Sequence, residues 1–169
     1  MPSSAAFLLK KGPEAAIRIA RGAGRPLHIA AKLPRGERRF FKERIEPMID
    51  GARVRLTGEV DEHTKEEFLS RATALLFPID WPEPFGLVMI EAMACGTPVI
   101  AFRHGSVSEV IEDGVSGFIV DDEAAAIEAV RQIGEIDRKA VRDAFERRFT
   151  VGTMTDEYLK LYRGLADQR

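Results

Sequence analysis

The chain has 169 residues, 45% of them hydrophobic and 31% charged, with 25 Lys plus Arg against 27 Asp plus Glu for a formal net charge of -2. Length and balance predict one globular domain with its own core. They exclude a disordered chain, a general nucleic-acid-binding field and a membrane span of about 20 apolar residues. The single cysteine, Cys95, excludes an internal disulfide framework and a multi-thiolate metal site. The apolar run in MPSSAAFLLKKG is too short for a signal peptide, so a cytoplasmic protein is expected.

In chain order, Phe7 to Leu9 reads as a strand stub, and Gly12-Pro13 opens a helix reaching Arg21, ahead of the Gly22/Gly24 pair. Leu27 to Ala31 is a strand. Glu37 to about Ile49 is a charged amphipathic helix that Pro47 bends or ends. Val54 to Leu56 is a short strand, Thr57-Gly58 a turn, and Thr64 to Ala72 a helix capped by Asp61 or Thr64. Ala74 to Phe77 is a buried strand stopped by Pro78. Phe85-Gly86 opens a helix to Cys95, with Gly96 placed for a left-handed cap. Val99 to Phe102 and Gly117 to Val120 are strands around a short helix at Ser108 to Glu112. Helices near Glu123–Ile133, Asp137–Arg147 and Val151–Arg163 close the chain. Apolar strands alternating with helices imply a doubly wound α/β domain, a Rossmann-like parallel sheet covered on both faces, over residues 1–169. Ligands of such folds bind beyond the carboxyl ends of the strands.

The informative loop is FPIDWPEPFG, residues 77–86, which leaves a buried strand, carries three prolines and ends in glycine at a helix start. The amides of Gly86, Leu87 and Val88 and the helix dipole would form an anion site; an ordinary strand-to-helix connection fits the same residues. The helix that follows, LVMIEAMAC, reads as apolar all round and therefore buried, with one carboxylate, Glu91, whose partner is either a structural Arg or a ligand hydroxyl. Glu83 stands just in front of the anion site. Acids that accept from hydroxyls, flanking amides that bind phosphate, suit a sugar–phosphate ligand.

EPFGLVMIE, its continuation AMACGTPVIAF, the VRLTGEV segment before it and GSVSEVIEDGVSGFIV after it resemble the retaining GT-B glycosyltransferases of the family-4 "group 1" class. The resemblance implies the C-terminal, donor-binding half of a GT-B enzyme that transfers a sugar from a nucleoside-diphosphate sugar with retention of configuration. It implies that Glu83, as the catalytic acid of the set, contacts hydroxyls of the transferred sugar. Amides around Phe85, Gly86, Leu87 and Val88 meet the sugar and diphosphate, and Glu91 takes the ribose hydroxyls. Gly58, Glu59 and Val60 lie against the nucleobase, and Lys11 neutralises the diphosphate. It implies no metal and no cofactor besides the donor.

The chain departs from the family where a Gly-Arg pair should precede Lys11. The stretch reads AAFLLKK, Lys10 offers charge without arginine's planar fork of donors, and a malformed first strand is expected. Expected partners are the donor, an N-terminal GT-B half with its acceptor and, through an apolar stripe on the last helix (Met154, Tyr158, Leu161, Tyr162, Leu165), a second copy; the alternative is that this stripe closes the domain's own core. The chain alone is expected to be inactive. A non-catalytic nucleotide-sugar module is the alternative function, and a dinucleotide-binding oxidoreductase is disfavoured because no G-x-G-x-x-G follows the first strand. His28, His63 and His104 show no metal-ligand spacing. His28 is expected to pack at its strand and His63 to be solvated, while His104 could face the cleft. Trp81 walls the loop, Asp121-Asp122-Glu123 starts a helix, and Glu109 aligns with an acid near the family's cleft.

Overall fold

A computed structural model describes residues 5–8, 12–30 and 35–166, without the side chains of 5–8, 35, 62 and 63. Strands β1 (Ala5–Leu8), β2 (Leu27–Ala30), β3 (Val54–Gly58), β4 (Leu75–Phe77), β5 (Val99–Phe102) and β6 (Gly117–Val120) form one parallel sheet in the order β3-β2-β1-β4-β5-β6. The order reverses between β1 and β4. Right-handed crossovers then send the helices after β1 and after β4 to opposite faces and open a crevice between them. The expected malformation of the first strand is not found: Ala5 to Leu8 pair residue by residue with Leu27 to Ala30.

The central strands are apolar because both faces are covered. Leu75, Leu76, Phe77, Val99, Ile100 and Ala101 are all buried. Helix α1 (Pro13–Gly22) packs against α6 (Glu123–Gln132), with Ile17, Ile19, Ala126 and Val130 in the core. On the other face lie α3 (Glu62–Ser70), α4 (Leu87–Ala94) and α7 (Arg138–Arg148). Helix α4 ends in a Schellman motif. Gly96, at φ 66°, donates to the Met93 carbonyl at 2.9 Å and Thr97 to that of Ala92 at 2.9 Å.

Several boundaries differ from expectation. The helix read over 37–49 is a 3₁₀ turn (Arg35–Glu37), a single α-helical turn α2 (Arg38–Phe40), a π segment (Phe41–Ile45) and a second 3₁₀ turn (Glu46–Met48). Pro47 removes the amide that would continue an α ladder there. Strand β3 runs through Thr57 to Gly58, because Gly58 pairs with Ala30 across a register shift. Helix α3 starts two residues early under a capping box: Asp61 accepts from the Thr64 amide at 2.8 Å, while the Thr64 hydroxyl accepts from the Asp61 amide at 3.0 Å. Helix α5 (Val107–Val110) stops before Glu112 because Ile111 is extended.

Helix α8 (Val151–Ala166) corrects the reading that its stripe closes the domain's own core. None of its residues is buried, and Met154, Tyr158, Leu161, Tyr162 and Leu165 are all more than half exposed.

Candidate functional site

Two glycine-capped helix starts meet at the switch point. Gly12 caps α1 at φ 87°, and a Cβ there would stand 2.2 Å from the Pro78 carbonyl oxygen, so the loops after β1 and β4 touch backbone to backbone. Gly86 caps α4 at φ 76°, where a Cβ would meet Met89 Cε at 2.7 Å and Phe77 Cζ at 3.2 Å. Only glycine lets the chain turn this tightly into α4 beside the Phe77 ring. The Met89 amide turns back to the Gly86 carbonyl at 2.9 Å, while the amides of Leu87 and Val88 precede the helical ladder, and the positive end of the α4 dipole points out of the sheet's carboxyl edge.

The acid-bearing loop is latched from the next connection. Ser106 donates its amide to the Glu83 carbonyl at 3.0 Å and its hydroxyl to the Phe85 carbonyl at 2.8 Å. At Gly105 a Cβ would lie 2.4 Å from the Glu83 oxygen. Within the loop, Trp81 Nε1 donates to Glu83 Oε2 at 3.1 Å, so the half-buried indole orients the acid as well as walling the loop.

Glu91 departs from the sequence reading in two ways. It is not buried: its side chain is 34% exposed, because α4 turns only Val88, Met89, Ala92 and Met93 into the core and leaves Leu87, 64% exposed, on the open side. Its partner is neither an arginine nor left to a ligand alone. Lys65 Nζ, from the first turns of α3, sits 2.9 Å from Glu91 Oε1. Glu83 thus stands beside Gly86 at the mouth of α4, and Glu91 lies one turn into the helix, held from α3. Gly58 ends β3 at φ 88° with open space where a side chain would be, followed by exposed Glu59 and half-buried Val60, which lead into the α3 cap.

Other residues fall elsewhere. Lys11 and Lys10 lie outside the described residues. The Phe85 ring meets Phe149 edge-on, 6.2 Å between centroids. Phe85, Leu87, Ile90, Phe149, Met154 and Tyr158 line a mainly apolar groove of about 560 Å³ between α4 and α8. His28 is half-buried on β2, His104 is exposed beyond β5, and Glu109 is exposed on α5. Asp122 caps α6 through the Ala125 amide at 2.8 Å, as the acidic run predicts. Burial raises the Cys95 thiol pKa, and Sγ donates toward the Glu66 carbonyl. Sequence reasoning missed Lys65, the Trp81–Glu83 bond and the Gly105-Ser106 latch. Of these, only the glycine after a strand end left a signal in the sequence.

The pattern of glycosyl transferases group 1 matches residues 2–147. D-inositol 3-phosphate glycosyltransferase of Nocardiopsis dassonvillei is 37% identical over 106 residues, covering 59% of this chain and 25% of that protein. Sucrose-phosphate synthase from Thermosynechococcus elongatus superposes with a TM-score of 0.83 at 25% identity, over 99% of this chain and 46% of that one. Anabaena HepE, solved in complex with UDP and glucose, superposes with a TM-score of 0.79 at 22% identity, over 96% and 49%. The chain spans about a quarter of such curated relatives and about half of the solved chains. The chain belongs to the group 1 glycosyl transferases, with the Rossmann-like fold of the C-terminal domain of their GT-B architecture.

Proposed function

We propose that this domain binds the donor for an enzyme that moves a sugar from a nucleoside diphosphate to an acceptor with retention of configuration. The observation that carries the reading is the pair of acids at the sheet's switch point, Glu83 just before the glycine-capped start of α4 and Glu91 in that helix's second turn. In this reading the first-turn amides of α4 and Lys11 offset the charge of the diphosphate as it departs, Glu83 holds sugar hydroxyls and Glu91 the ribose. Gly58, Glu59 and Val60 offer backbone to the base. The reading calls for no metal. HepE, solved with UDP and glucose, supports the choice of ligand class.

The 169 residues alone bind donor without transferring its sugar, because the acceptor and the groups that hold it belong to the second GT-B half. That half also covers the exposed stripe of α8; a self-associating chain would cover the stripe with a second copy instead, which sedimentation distinguishes. Among the described residues no helix is long and apolar enough to cross a membrane, and a cytoplasmic location belongs to the proposal. The missing Gly-Arg before Lys11 favours a second reading, a binding module without transfer.

Calorimetry with UDP, GDP and ADP in EDTA tests the proposal. One of them binds, and Glu91→Ala weakens it; failure of all three to bind, or binding only of NAD, contradicts it. Transfer activity after joining the domain to an acceptor half separates enzyme from module.

A further inference from the structure

Lys65 is the unexpected member of the site. It stands at the fourth position of α3, where its amide makes the helix's first bond, to the Asp61 carbonyl at 2.8 Å. The Asp61–Thr64 capping box therefore fixes the turn that carries it. Immediately before that cap runs the Gly58–Glu59–Val60 segment. The Lys65 side chain is only 19% exposed, so its stem is packed and its ammonium reaches Glu91 Oε1 at 2.9 Å. An ammonium has three donors, whereas an ionised carboxylate accepts at about four lone-pair sites. The pair therefore leaves Glu91 with accepting capacity on its exposed side.

We infer that Lys65 is a positioning residue for nucleotide binding: it holds the Glu91 carboxylate in one orientation, so that this acid can accept from two vicinal hydroxyls of a ribose. The inference rests on the donor-binding reading above and adds a residue on a different helix to it. It also gives a physical route from the base to the ribose: a base resting on residues 58–60 bears on the cap of α3, and the cap sets Lys65. Exposed ion pairs usually contribute little, but this one is partly shielded and spans two elements rather than one turn. Stability is not its main role, because α3 is already fastened at its other end. Thr97 Oγ1 donates to the Leu69 carbonyl at 2.8 Å, and Arg138 donates to the carbonyls of Ser70 and Ala72 at 2.8 and 2.7 Å. Lys65→Met keeps the packed stem and those fastenings, and should fold.

The test compares UDP, GDP and ADP with their 2′,3′-dideoxy counterparts by calorimetry on wild type, Lys65→Met and Lys65→Arg. The expected result is that whichever diphosphate binds wild type binds Lys65→Met about tenfold more weakly, the loss of one charge-assisted bond's worth of orientation. Its dideoxy counterpart binds both proteins alike, and Lys65→Arg recovers part of the loss. A residue with a merely structural role would weaken both ligands equally, and that outcome, or an unchanged ratio in Lys65→Met, overturns the inference. If wild type binds a diphosphate but does not distinguish it from the dideoxy form, Glu91 is not a ribose acid and the inference falls with that role. If no diphosphate binds, the donor reading itself has failed.

Discussion

Gly12→Ala probes the contact that builds the crevice. The position has φ 87°, which costs an L residue about 1–2 kcal/mol. The added methyl would also stand 2.2 Å from the Pro78 carbonyl oxygen, a backbone atom that cannot swing aside. Relieving that contact requires the two loops to part, at about 1–3 kcal/mol, the range for overpacking a tight site. The sum is about 2–5 kcal/mol, or a urea midpoint lower by about 1–2 M for a domain of this size. Gly86→Ala is the internal control: its φ of 76° carries a similar conformational cost, but the nearest atom is the flexible end of Met89 at 2.7 Å. It should cost about 1–3 kcal/mol, and less than Gly12→Ala. Urea unfolding followed by far-UV circular dichroism and by the fluorescence of Trp81, the single tryptophan, measures both. Gly12→Ala within about 0.5 kcal/mol of wild type, or milder than Gly86→Ala, would refute the backbone contact between the loops.

Arg138→Ala removes a guanidinium that bonds the carbonyls of Ser70 and Ala72 and the Thr97 hydroxyl together, and should cost about 2–3 kcal/mol in the same urea assay. Arg71→Ala, which breaks only an exposed pair with Glu67 one turn away, should cost at most about 0.5 kcal/mol. Burial, helped by Arg55, lowers the His28 pKa below its ordinary value. The unfolded chain therefore takes up the proton first as pH falls, and folded stability declines from about pH 7 downward through the depressed pKa. His28→Gln should flatten the stability profile between about pH 7 and pH 5, and an unchanged slope would show that His28 does not set it.

Much of this architecture was legible because the signals are local. The LLF and VIAF runs can only be doubly covered strands, and glycine at 86 and 96 brackets α4 where the backbone turns left-handed. The acid pair was visible through its spacing around Gly86. What the sequence concealed depends on contacts made across the chain. LVMIEAMA reads as buried all round, yet the helix turns only Val88, Met89, Ala92 and Met93 into the core, so Leu87 and Glu91 stay accessible. The Lys65–Glu91 pair joins residues 26 apart on two helices, and nothing in HTKEEF marks that lysine out from its neighbours. The Ser106 latch on Glu83 and Phe85 depends on two adjacent loops closing over the same strand ends. The irregular helix over 35–48 kept its amphipathic pattern while its hydrogen bonds changed type, which periodicity does not report.

In the proposed function a nucleoside diphosphate lies across the sheet's carboxyl edge from residues 58–60 to the mouth of α4. Amide chemical shifts of the 169-residue protein, followed during titration with UDP, GDP and ADP, test it most directly. One of the three should move the resonances of Gly58, Glu59, Val60, Gly86, Leu87 and Val88 together, with Lys65 and Glu91 beside them. Saturating additions that leave all of these in place, or that shift only the groove between α4 and α8, would contradict it.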